Sequence, residues 1–198
     1  MAWHPPEVVE EIGAAWATVS PNGFGVCRAD VQPEGMHWVR FHSLPGSKRW
    51  PTDEAEFQTC VGRFNAVADA VAAAGTEFFL LTRSWSQGRS PRPRLREIEA
   101  ADPDARFWRS VRGDPDDPDS GWFHLFASRH RWAPGAVDPM IRLTADDVAW
   151  EVGLLPTFGG WLLCPYDGGL DVYLSKEEER NRLKEKFAAW LSAYPGGL

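Results

Sequence analysis

Short segments that alternate apolar and polar side chains, punctuated by turn residues, dominate this chain and leave room for two strong helical patterns. Hairpin connections outnumber stretches long enough to cross over a sheet, so the strands are expected to pair mainly antiparallel. The pattern predicts an α+β fold: a single domain over residues 1–198, with a largely antiparallel β-sheet and helices packed mainly on one face. A chain of 198 residues can bury a sizeable core without staples.

An N-terminal helix is expected within residues 1–20, opened by Pro5 and Pro6, with Ile12, Trp16 and Val19 at helical spacing. Strands follow at Phe24–Ala29 and Met36–Leu44, joined by a turn ending at Gly35. The clearest helix runs from Asp53 to Ala74: Asp53 and Glu56 form a capping-box start, Gly75 a stop, and Cys60, Val61, Phe64 and Val67 share one face. Further strands are expected at Glu77–Trp85, near Phe107–Val111, and at Gly121–Trp132, Val148–Leu155, Gly160–Tyr166 and Leu170–Leu174. Leu95–Ala100 reads as a helical turn and Val137–Asp147 as a loop or short helix. Asp167-Gly168-Gly169 reads as a tight hairpin whose glycines supply positive φ. A closing helix at 175–195 would start from a Ser175/Glu178 capping box and present Leu183, Phe187, Trp190, Leu191 and Tyr194.

The eleven tryptophans carry the functional interest, because several neighbour Arg or His in expected strands. Period-two alternation groups Trp38, Arg40 and His42 on one side of their strand, and Arg83 and Trp85 on one side of theirs. It sets Trp122 and His124 opposite Phe123 and Leu125, and Tyr173 with Asp171 opposite Val172. In one sheet, a helix-free face would then gather Trp38, Arg40, His42, Arg83, Trp85, Trp122, His124 and Tyr173. Such a face can stack a planar or cationic group or anchor a partner protein. The loop from His42 to Trp50 adds Lys48 and Arg49, two cations before a helix start.

Other constellations are weaker. The run Asp114–Asp119 is interrupted by prolines and lacks the alternating donors of a calcium loop. Asp146 and Asp147 are adjacent and so make a poor carboxylate dyad; one of them is expected to cap the chain or pair with Arg142. His124 and His130 lie too far apart along one strand to share an ion, His42 could join His124 only if their strands were neighbours, and no metal or cofactor is expected. Cys27, Cys60 and Cys164 form no CxxC pair and read as reduced thiols of a cytoplasmic protein, with Cys164 the one worth testing for reactivity. A net charge of −7 disfavours nucleic acid and anionic membranes, and no apolar run is long enough to span a bilayer.

Phe41-His42-Ser43-Leu44-Pro45 with Ser47-Lys48-Arg49, Trp108-Arg109-Ser110, Trp122-Phe123-His124-Leu125-Phe126 and Tyr166-Asp167-Gly168-Gly169-Leu170-Asp171-Val172 occur together. As a set they resemble a group of small uncharacterised bacterial proteins, over roughly residues 36–198. That group has no established activity, so the resemblance implies a stand-alone bacterial domain and no function.

Two readings follow. The first is a small acidic binding protein, immunity-like or regulatory, that meets a protein partner through the aromatic/Arg/His face. The second is an enzyme or sensor for a small anionic or aromatic ligand, with His42 as acid/base, Arg40, Lys48, Arg49 and Arg83 as anion clamps, and Trp85 as a stacking wall.

Overall fold

The computed structural model describes residues 2–19, 35–113 and 120–191. The strand expected at Phe24–Ala29, the acidic run 114–119 and Tyr194 lie outside them. The elements are α1 (Pro6–Ala17), β1 (His37–His42), α2 (Glu54–Val71), β2 (Glu77–Ser86), α3 (Arg96–Ala101), β3 (Arg106–Arg112), β4 (Trp122–Arg131), α4 (Asp138–Ala145), β5 (Gly153–Pro156), β6 (Trp161–Tyr166), β7 (Gly169–Leu174) and α5 (Glu177–Lys186). The seven strands form one open sheet in the order β1-β7-β6-β5-β2-β4-β3. Every pairing is antiparallel, so the α+β expectation holds.

Local chemistry starts α2 as expected. The Asp53 carboxylate accepts from Glu56 N–H at 2.9 Å, while the Glu56 carboxylate reaches back to Thr52 N–H at 2.7 Å. The second capping box does not form. Ser175 N–H still bonds Gly160 O at 2.7 Å, at the end of the sheet, so the helix starts one residue later behind an uncapped Lys176. That helix also stops early, at Lys186, and a 3-10 turn at Ala188–Trp190 carries the chain on.

The sheet is covered on both sides. Phe78, Leu80, Leu154, Leu163 and Val172 pack with α2, α4 and α5 residues such as Phe64, Met140 and Leu183. Phe79, Leu81, Leu125, Ala127, Leu155 and Leu162 pack on the other side against Ile12, Ala15 and Trp16 of α1. The expected helix-free face is therefore occupied at its centre. The reason lies in the unbroken run Phe78–Leu81, buried at every position: a strand without alternation needs an apolar cover on each face.

Candidate functional site

The ten candidate residues do not converge; they fall into separate regions. β1 is one edge of the sheet and β4 lies next to the other, so Trp38, Arg40 and His42 are remote in strand order from Trp122 and His124. Register separates them further. Ser84 pairs with His124 and Ser86 with Trp122, whereas Arg83 pairs with Leu125 and Trp85 with Phe123. Trp122 and His124 thus point to the side opposite Arg83 and Trp85, which corrects the expected shared face. Tyr173 is buried in the core beneath α1, away from solvent. Lys48 is held on the surface by Glu56 and Thr52.

At the β1 edge a cleft of about 640 Å³ brings together three of the candidates, Arg40, His42 and Arg49, with Trp150, Tyr166 and Asp167. Asp171, opposite Arg40 in the β1–β7 register, accepts a bidentate pair from its guanidinium, both contacts at 2.7 Å. The same carboxylate accepts from Trp38 Nε1 at 2.9 Å. Arg40 lies 4.8 Å over the Tyr166 ring and 5.3 Å from that of Trp38. Burial pushes the Tyr166 phenol up to about 12, so it stays protonated. At the rim, Asp167 accepts from Arg49 Nε at 2.5 Å and from Trp50 Nε1 at 3.0 Å.

Asp167 and Asp171 were not among the candidates. Their signal is their place in the β6–β7 hairpin, on the strand that happens to pair with β1. The glycines there serve a different purpose from the one expected, since neither Gly168 nor Gly169 has positive φ. A Cβ on Gly169 would lie 2.2 Å from Phe41 O and 2.9 Å from the Tyr166 hydroxyl, so close approach excludes a side chain.

Strain gathers at the same place. Among the described residues, the non-glycine residues with positive φ are Ser47 (57°), Asp147 (57°) and Glu151 (53°), and all three line this cleft. Each such conformation costs of order 1–3 kcal/mol and persists only where the surroundings fix it. Glu151 is fixed by Arg83, at 3.1 Å. This bent segment replaces the first half of the strand expected at Val148–Leu155, which is reduced to β5. Arg142, expected to pair with Asp146 or Asp147, instead makes a bidentate pair with Glu54 of α2.

His42 lines the inner part of the cleft, with Nε2 buried and lacking a hydrogen-bond partner. Burial, then the charges of Arg40 and Arg63, hold its basicity below the ordinary histidine value. His4 and His124 are lowered as well, mainly by burial. A depressed folded-state value means that the unfolded chain binds more protons just below the ordinary histidine range near pH 6.5. Stability is therefore expected to fall as pH drops through that range. Urea midpoints at successive pH values check this, and His124→Gln should flatten the slope.

Trp150 also lines a second cleft, of about 490 Å³, walled by Trp85, Leu95 and Phe123. Trp85 lies over Gly121, where a Cβ would come within 2.7 Å of the indole and φ is +69°, and its Nε1 donates to Ser120 O at 3.2 Å. Trp50, Trp85 and Trp150 remain 53%, 48% and 59% exposed. Cys60 is a buried free thiol as expected, but Cys164 is disulfide-bonded, so it is not a reactive thiol. Spacing along the chain could not show that pairing. Among the described residues no cluster of three or more His, Cys, Asp or Glu could hold a metal ion, and no helix is long and apolar enough to cross a membrane.

A family model described as Domain of unknown function (DUF3885) matches residues 30–195. The chain belongs to DUF3885. The DUF3885 region takes in all seven strands and every residue lining the two clefts, while α1 precedes it. No curated protein and no solved structure matches the chain. DUF3885 itself carries no activity to transfer, so the function rests on the chemistry of the clefts.

Proposed function

We propose that this protein binds a protein partner through its two clefts, without chemistry there, and that the partner offers a basic segment with aromatic or aliphatic anchors. One observation carries the reading: the cations expected to clamp an anion are already matched. Arg40 is held by Asp171, Arg49 by Asp167, Arg83 by Glu151 and Lys48 by Glu56. Of the four carboxylates lining the larger cleft, those of Asp171, Asp167 and Glu151 are the partners of Arg40, Arg49 and Arg83, and Asp147 adds a negative charge with no ion pair among the described residues. Trp150 stands between the two clefts and is open to contact, as hot-spot aromatics are. Carboxylates around exposed indoles favour cations by charge and by cation–π attraction.

Calorimetric titration of short Lys/Arg-rich peptides containing Trp or Leu tests this against acidic peptides of equal length. The basic peptides are expected to bind, to weaken with salt, and to lose about tenfold or more in affinity on Trp150→Ala. Binding of the acidic series, or basic binding indifferent to Trp150→Ala and Asp147→Lys, would overturn the proposal. A small-ligand reading is favoured by one feature, the buried His42 Nε2 with no partner. Its signature is binding lost in His42→Phe and unmoved by Trp150→Ala. The Cys164 disulfide weighs against the cytoplasmic expectation, because cytosolic thiols are kept reduced.

A further inference from the structure

On the sheet face opposite the Arg83 side, β3, β4 and β2 align Ser110, His124 and Ser84 in one cross-strand row. His124 is fully buried and bonded through both ring nitrogens: Nδ1 lies 2.7 Å from Ser110 Oγ and Nε2 lies 2.8 Å from Ser86 Oγ. Counting protons fixes the direction of each bond. Ser86 has one hydroxyl proton and donates it to Gly88 O at 2.9 Å, so it accepts from His124 Nε2–H. Nδ1 is then the bare nitrogen, and Ser110 donates to it. A hydroxyl that gives its proton to a neutral imidazole, itself oriented by a third group, is the arrangement of a nucleophile, its base and an orienting residue.

The surrounding charge differs from that of the clefts. Ser84 Oγ donates to Arg92 O at 2.6 Å and ties the loop carrying Arg89 and Arg92 to this row. The Arg89 guanidinium lies 5.6 Å over Trp122, and the charge of Arg92 reaches His124. Among the described residues neither arginine has a carboxylate partner, unlike Arg40, Arg49 and Arg83. Guanidinium groups without a carboxylate partner on the loop next to His124 favour a substrate that is itself anionic.

We propose that Ser110 is a nucleophile and His124 its general base for small carboxylic esters bearing a negative charge on the acyl part, with Ser86 as a positioning residue. Ser110 Oγ attacks the ester carbonyl while its proton passes to His124 Nδ1. The carbon–oxygen bond to the alcohol breaks and that proton goes to the leaving oxygen. Water then adds to the acyl-serine by the same route, releasing the acid and restoring the Ser110 hydroxyl. This site is independent of the proposed partner surface, and either proposal can fail without the other.

The probe is the p-nitrophenyl monoester of succinate, with neutral p-nitrophenyl propionate as the comparison, followed by acid quench and peptide mass mapping. The expected result is a succinyl adduct on Ser110, formed about a hundredfold faster than any labelling of Ser110→Ala. Arg92→Gln should slow the succinate ester more than the propionate ester. Ser86→Ala should move the pH midpoint of acylation, which a merely structural loss would not do. Absence of an adduct on wild-type Ser110, or equal labelling of the Ser110→Ala protein, would overturn the proposal. Mapping on the wild-type protein decides even if a variant fails to fold.

Discussion

Asp171→Ala is expected to lower folding stability by about 3–5 kcal/mol. The Asp171 and Arg40 side chains are only 5% and 11% exposed and share two contacts of 2.7 Å, so removing the acid leaves a guanidinium without its counter-charge inside the fold. Trp38 Nε1 loses its acceptor in the same step. The charge, not the volume, carries the cost: a double Arg40→Met, Asp171→Leu variant should recover most of the loss, because no ion is then left unpaired. Urea denaturation of the three proteins decides it. A single Asp171→Ala midpoint close to wild type would mean that Arg40 finds water or another acceptor in the cleft.

Asp102→Ala is expected to cost a similar amount, about 3–5 kcal/mol, with Asp102→Asn falling between it and wild type. Here the Arg94 and Asp102 side chains are 3% and 0% exposed, and the same carboxylate oxygen accepts from Ser128 Oγ at 2.8 Å. Arg94 also donates to Thr82 Oγ1 at 3.0 Å and to the Asp102 carbonyl at 2.7 Å. These contacts survive the substitution and set the loss towards the lower figure. Asparagine keeps an acceptor for Ser128 and Arg94 and loses the charge, so the step from Asn to Ala separates these hydrogen bonds from the charge. Chemical denaturation followed by tryptophan fluorescence reads both steps, since Trp132 packs in the adjoining core beside Phe78.

Much of the element map was legible because it depends on local pattern. The period-3.6 face of Cys60, Val61, Phe64 and Val67 marks α2, and that face is buried. The runs at Trp122–Arg131, Trp161–Tyr166 and Gly169–Leu174 form strands close to the expected bounds. Errors arose where a nonlocal bond outweighed a local signal. Ser175 looks like a helix cap but stays bonded to Gly160. Val148–Glu151 reads as strand, yet the chain there bends through left-handed backbone at Asp147 and Glu151 before β5 begins.

For the candidate site, alternation placed Trp38, Arg40 and His42 together on β1 and correctly kept Arg83 with Trp85 on β2. It could not say which face of one strand coincides with which face of another. A register different by one residue would have put His124 beside Arg83; the observed one sets them back to back. Nor could it supply strand order, which brings β7, and with it Asp171, to β1.

Fold class, most of the helices and strands, and the side-by-side placement of aromatic and basic residues along single strands were written in residue order, because these follow from propensity and periodicity within a few residues. The tertiary structure alone decided which charges meet. It neutralised Arg40, Arg49 and Arg83 with carboxylates drawn from distant segments, closed Cys164 into a disulfide, and set the hydroxyl of Ser110 on the imidazole of His124. Coulombic pairing and hydrogen bonding act over a few ångströms of space whatever the separation along the chain, so the character of each site was fixed only when the strands took their order and register.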